Sequence, residues 1–165
     1  MQTTDESTDS LTWIKTRSLL VFAAATALVA WLGSMATQES VDSQWFESLQ
    51  KPGFYPPNQA FGIVWTVLYV MIAFAGWLAW RNGGGLATLR PWTLQLLLNL
   101  GWTVVFFGLQ EPAWAMVVIV ALFAAAAWCA VRMWAVSRAA AWLFVPYIAW
   151  IGFAGTLNGA IIALN

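Results

Sequence analysis

Five long apolar windows, 18–37, 60–80, 91–109, 112–136 and 141–164, take up most of the 165 residues. The hydrocarbon core of a bilayer needs about 20 mainly apolar residues per helix, and each window approximately meets that length. In lipid a segment has no water to satisfy its backbone, so a lone apolar stretch crosses as a helix. The expected fold is an all-α integral membrane protein, a bundle of five transmembrane helices over residues 18–165. Residues 1–17 read as a polar, disordered tail; residues 1–12 lack a basic stretch and give no reason to assign a cleaved signal peptide. Only 8% of the side chains are charged, against about a quarter in soluble domains. None lies deep in a window, which argues against a proton relay, a voltage sensor or an ion-coupled pump. With no His and one Cys, Cys129, a disulfide framework and the ordinary Cys/His metal sites are excluded. The zero net charge gives no sign of nucleic acid as a partner.

The stretch Lys51–Tyr69 joins a stiff loop to a helix. Pro52, Pro56 and Pro57 remove backbone donors and push the residues before them toward extended conformations. Beyond the loop, Phe61, Trp65 and Tyr69 recur at i, i+4 and i+8, an aromatic stripe just below the point where the loop enters. Ahead of it, Val41, Trp45 and Leu49, with Phe46 beside them, read as a short amphipathic helix, either a surface anchor or a lid.

The other windows carry their own patterns. Ala23, Ala27, Ala30 and Ser34 line one side of the first, which suits close helix contact. In the third, Gln95, Asn99, Trp102 and Phe106 share a face, and amides at membrane depth should point at protein or a cavity. Pro91 is expected to open that helix and Pro112 the next. In the fifth, Tyr147, Trp150, Ala154 and Asn158 lie on one side. Asn99 and Asn158 could bond ligand or each other, and Gly155-x3-Gly159 suits contact within a chain or across a dimer. Trp13, Trp77, Trp80, Trp92, Trp134 and Trp142 sit near window ends and read as packing or an interfacial belt.

Four motifs then occur in order: Gln44-Trp45-Phe46-Glu47-Ser48-Leu49-Gln50-Lys51-Pro52 with Pro56-Pro57; Trp65-Thr66-x-Leu68-Tyr69; Gln95-x3-Asn99-x2-Trp102-x3-Phe106-Phe107-Gly108; and Val145-Pro146-Tyr147-x2-Trp150-x6-Leu157-Asn158. Over about residues 44–165 the chain resembles the TspO/MBR family, the tryptophan-rich sensory proteins related to the mitochondrial translocator protein. The resemblance implies a five-helix bundle, frequent homodimers and a pocket for porphyrins and synthetic ligands under the first loop. By position, Asn58, Phe61, Trp65, Asn99, Trp102, Trp114, Trp150, Ala154 and Leu157 correspond to pocket-lining positions of the family. Tyr69, Tyr147 and Asn158 join them from the helix faces above. Trp65 and Trp150 fall on tryptophans linked in some relatives to light-dependent porphyrin breakdown. The chain departs from the family at Gln59-Ala60, where Trp-Val is usual. No Lys or Arg follows Tyr147, so sterol recognition through a Tyr-to-basic pattern is not implied.

Three function classes follow. The first is a membrane receptor or sensor for tetrapyrroles such as protoporphyrin, with an implied role in porphyrin or stress responses. Flat indole faces suit a macrocycle, and the lack of His disfavours ordinary haem ligation. No cofactor is required beyond the porphyrin as ligand. The second is a transporter of porphyrins or small lipophilic molecules, although the windows show no inverted repeat. The third is a photo-oxidative enzyme acting through Trp65 and Trp150, since no general base or nucleophile with a partner is visible.

Six of the seven basic residues, Lys15, Arg17, Arg81, Arg90, Arg132 and Arg138, fall on the N-terminal side of a five-span arrangement, leaving Lys51 opposite. By the positive-inside bias, the expected placement is a prokaryotic cytoplasmic membrane with the N-terminus inside and the C-terminus outside. A Cys at Asn165 should then react with an impermeant maleimide on intact cells, and one at Gly84 only after permeabilisation. The reverse pattern would refute the orientation.

Overall fold

The computed structural model describes residues 3–165, with side chains from Arg17 onward. Its elements are α1 (Thr3–Val41), α2 (Gln44–Ser48), α3 (Asn58–Arg81), α4 (Gly85–Thr103), a π-helical turn (Val104–Gly108), α5 (Pro112–Trp134) and α6 (Arg138–Leu164). The side chains of the expected tail lie outside the described residues but for Arg17, and Trp13 with them. The protein is all-helical among the described residues, and four stretches are long and apolar enough to cross a membrane: Arg17–Val41, Asn58–Arg81, Pro112–Trp134 and Arg138–Leu164. The window 91–109, expected as a fifth, falls in α4 and the π-helical turn and is not among them. Within α4, Arg90, Gln95, Asn99 and Thr103 dilute the apolar character.

Local chemistry sets the helix ends. Ser43 Oγ accepts from the Phe46 amide at the start of α2, and Ser137 Oγ accepts from the Ala140 amide at the start of α6, each satisfying one orphan donor. Pro112 opens α5 as expected. Pro91 does not open α4: the helix begins at Gly85 and Pro91 lies buried inside it. The Asn82–Gly85 turn explains the early start. Gly83 and Gly85 have φ of 84° and 51°, values that suit glycine, so the chain reverses there and resumes a helix at once.

The long helices close a ring in the order α1, α3, α6, α5, α4 and back to α1, with α5 packed most heavily on α6 and α4. Small residues set the α5–α6 spacing. A Cβ on Gly159 would meet Met116 Cε at 3.1 Å, and one on Gly155 would touch Ile119 Cγ2 at 3.9 Å. The Gly155-x3-Gly159 pair is thus used within the chain. Far from α2, α1, α3 and α4 meet at Gly76. Trp92 Nε1 donates to the Ile72 carbonyl at 3.0 Å, and Phe22 packs edge-on against Trp92 with centroids 4.8 Å apart. Trp92 is therefore a core residue, the packing alternative of the two expected for it. Trp80, Trp134 and Trp142 are exposed at helix ends, where a belt would place them.

A Cβ on Gly76 would lie 2.5 Å from Trp92 Nε1 and 2.7 Å from Phe22 Cδ1. Gly76→Ala should lower stability by about 1–3 kcal/mol, the usual cost of overpacking. Gly62→Ala meets nothing within 4 Å and should be neutral or slightly stabilising, through helix propensity. Thermal unfolding of the two variants in one detergent checks the contrast.

Candidate functional site

At the α2 end the ring of helices encloses a cavity of about 450 Å³, within the range of small-molecule sites. Its walls come from four sides. The stripe on α3 delivers Phe61, Trp65 and Tyr69; α4 and the π-helical turn deliver Trp102, Phe106 and Phe107; α6 delivers Ala154, Leu157 and Asn158. The fourth wall is α1, with Ala30, Gly33, Ser34 and Thr37, and the roof includes Phe46, Tyr55 and Asn58.

The rings hold one another in place. Trp65 stacks on Tyr69 at 5.4 Å between centroids and meets Tyr147 edge-on at 6.3 Å. Trp102, Phe106 and Phe107 form a second cluster, with Phe106 and Phe107 at 4.8 Å. Into it α2 drops Trp45, 6.0 Å from Phe106, and Phe46, 6.0 Å from Phe107. Phe46 is buried, so α2 is a plug over the cavity and its apolar face is turned inward. The roof is stiffened further. Tyr55 N–H donates to the Pro52 carbonyl at 2.9 Å, and burial pushes the Tyr55 phenol up to about 12, keeping it a neutral group. Asn165 grips the loop start, its Oδ1 accepting from the Gln50 amide and its Nδ2 donating to the Gln50 carbonyl.

Behind the aromatic wall runs a chain of hydrogen bonds. Tyr69 hydroxyl donates to Asn99 Oδ1 at 2.7 Å, Asn99 Nδ2 donates to the Tyr147 oxygen at 3.4 Å, and Tyr147 hydroxyl donates to Gln95 Oε1 at 2.7 Å. Gln95 Nε2 closes it on the Trp92 carbonyl at 2.9 Å. Deeper polar groups are thus spent on each other. At the cavity itself Trp102 Nε1 donates to Asn158 Oδ1 at 3.2 Å, and Asn158 Nδ2 donates to the Pro112 carbonyl at 2.8 Å. Asn99 and Asn158 do not bond each other.

Of the residues expected at a pocket, the structure brings eight into this lining: Asn58, Phe61, Trp65, Tyr69, Trp102, Ala154, Leu157 and Asn158. Asn99 and Tyr147 stand one layer behind, buried in the hydrogen-bond chain. Trp114 is 67% exposed and points away, because the inward face of α5 is Ala115, Ile119 and Leu122. Trp150 packs on Phe61 at 5.7 Å and Phe153 at 5.4 Å and borders an apolar groove outside the cavity with Val64, Leu68 and Pro146. Its indole nitrogen is buried with no partner among the described residues. The α1 wall was missed: Ser34, Thr37 and Gln38, at i, i+3 and i+4, are the polar signal that marks it. Among the described residues no three His, Cys, Asp or Glu side chains come together, so the cavity offers rings, amides and hydroxyls.

Comparison with known proteins agrees with this arrangement. A model of the TspO/MBR family matches residues 21–164. The Tryptophan-rich protein TspO of Archaeoglobus fulgidus is 38% identical over 143 residues, 86% of this chain and 92% of that one. The human Translocator protein is 36% identical over 120 residues, 70% and 71% of the two chains. The Tryptophan-rich sensory protein of Cereibacter sphaeroides is 32% identical over 146 residues, 88% and 90% of the two. The matched span holds every residue that lines the cavity, and the chain belongs to the TspO/MBR family.

Proposed function

We propose that the protein is a five-span membrane receptor that binds tetrapyrroles such as porphyrins in the aromatic cavity and serves as a sensor of them. The observation that carries the reading is the cavity wall, where Trp65 stacks on Tyr69, Trp102 packs on Phe106 and Phe107, and the Trp102 indole N–H is already satisfied by Asn158. Flat apolar faces so fixed suit a macrocycle and lose little freedom when one binds. The names of the relatives, sensory protein and translocator protein, support a role in sensing or moving a small molecule. The fifth span in this reading is α4 with the π-helical turn, 19 and 5 residues long. At about 1.5 Å per residue they reach about 35 Å, enough for the hydrocarbon core. Their polar residues are tolerated because Gln95 and Asn99 face protein, as amides in a membrane must.

In this reading Trp65 is the principal stacking residue, and any light-dependent chemistry starts there, since Trp150 stands outside the cavity. Trp65→Ala should weaken porphyrin binding by about 1–3 kcal/mol, the scale of one buried aromatic contact. Trp65→Phe should keep most of the affinity, and Trp114→Ala should bind as the unmodified protein does. Titration of intrinsic fluorescence with porphyrin checks all three, and equal affinities for Trp65→Ala and the unmodified protein would remove the cavity as the binding place.

The roof generates a second expectation. Its prolines limit the entropy that the loop loses on closing over a ligand. Replacing Pro56 and Pro57 by Gly should therefore speed porphyrin dissociation in stopped-flow chase experiments; an unchanged off-rate would make the loop a connector only.

A further inference from the structure

We propose that the cavity selects among flat lipophilic ligands by charge at its mouth, and that Asp42 sets the choice, disfavouring a ligand edge that bears carboxylates and favouring an uncharged or cationic one. The inference rests on the tetrapyrrole reading and names the class of tetrapyrrole. Asp42 is the one charged side chain among the described residues that line the cavity. It is exposed at the point where α1 gives way to α2, and makes no hydrogen bond or ion pair to another described residue.

The surroundings do not neutralise it. Glu39 and Glu47 lie exposed on the flanking helices, adding the same sign. Among the described residues Lys51 is the one basic side chain at this end, and it is committed elsewhere. Its Nζ donates to the Phe46 carbonyl at 2.8 Å and sits 4.2 Å above the Phe46 ring centroid, pinning α2 to the loop, and it does not line the cavity. Arg81, Arg90, Arg132 and Arg138 stand at the far ends of their helices. A dicarboxylate macrocycle seated against Trp65 and Trp102 would bring its anionic edge toward the Asp42 carboxylate, while the nearby cation, Lys51, is held over the Phe46 ring and 6.0 Å from the Tyr55 ring centroid. The same macrocycle with its carboxylates masked, or with a cationic edge, meets no such repulsion.

The effect is read as a ratio. The purified full chain in neutral detergent is titrated with protoporphyrin, a dicarboxylate, and with its dimethyl ester, for the unmodified protein and for Asp42→Asn and Asp42→Glu. Two unit charges about 8 Å apart change binding by a factor between about two in bulk water and about thirty near a protein surface. Asp42→Asn should therefore lower the ratio of acid to ester dissociation constants by that factor, through tighter binding of the acid with the ester unchanged. Asp42→Glu should keep the original ratio. In about 0.5 M salt the difference between the Asp and Asn forms should shrink, because the mouth is exposed to screening. A ratio that Asp42→Asn leaves unmoved at low salt, with both probes bound, overturns the inference and leaves the tetrapyrrole reading standing. Failure of both probes to bind the unmodified protein overturns the tetrapyrrole reading itself and the inference with it.

Discussion

A polar group inside a membrane has to find its partner in the protein, and the chain from Tyr69 through Asn99 and Tyr147 to Gln95 is where this molecule meets that demand. It ties α3, α4 and α6 together at the depth where lipid offers nothing. Individual bonds of this kind are modest, on average about 0.6 kcal/mol. Their value lies in direction, because each amide and phenol satisfies the next and none can be rotated without stranding another. The cavity depends on it. Tyr69 is held by Asn99 at its hydroxyl and by Trp65 at its ring face, so the stacking wall is anchored from behind.

How much of this could be read from the residues depended on the kind of signal. Apolar run length marked α1, α3, α5 and α6 in position, since Pro112 starts α5 and the α3 window fills most of Asn58–Arg81. For α4 it misplaced the start. Pro91 looked like an entry because a proline at the first turn is harmless, yet the Gly83 and Gly85 turn had already committed the chain to helix. The polar residues that close the hydrogen-bond chain, with Arg90 in the same helix, dilute the apolar character of this segment. A helix stabilised by interior polar contacts is the hardest to see by apolarity.

The aromatic stripe on α3 was legible because three rings at i, i+4 and i+8 on one helix have to share a face. Trp114 and Trp150 were not, and for a geometric reason. One residue is about 100° of rotation, so Trp114, next to the fully buried Ala115, turns outward. Trp150, next to buried Ile151, turns into the seam between α6 and α3. Residues on neighbouring positions of one helical face can thus belong to two different surfaces when two helices abut it. Trp92 shows the converse. Its place near a window end left packing and an interfacial ring both open, and the gap left by Gly76 gives its indole a seat in the core.

The wall formed by α1 carries no ring and is built mainly of small side chains. Where α3 and α4 present Trp and Phe, α1 presents Ala30, Gly33, Ser34 and Thr37, and a methyl group on Gly33 would reach only ordinary contact with Thr103, at 3.7 Å. The empty space therefore exists because α1 declines to fill it. Capacity and chemistry are written on separate helices: the size of guest is governed by small side chains on one element, and its shape and stacking by rings on two others. Such a protein can change how large a molecule it admits without touching the groups that recognise it, and the reverse.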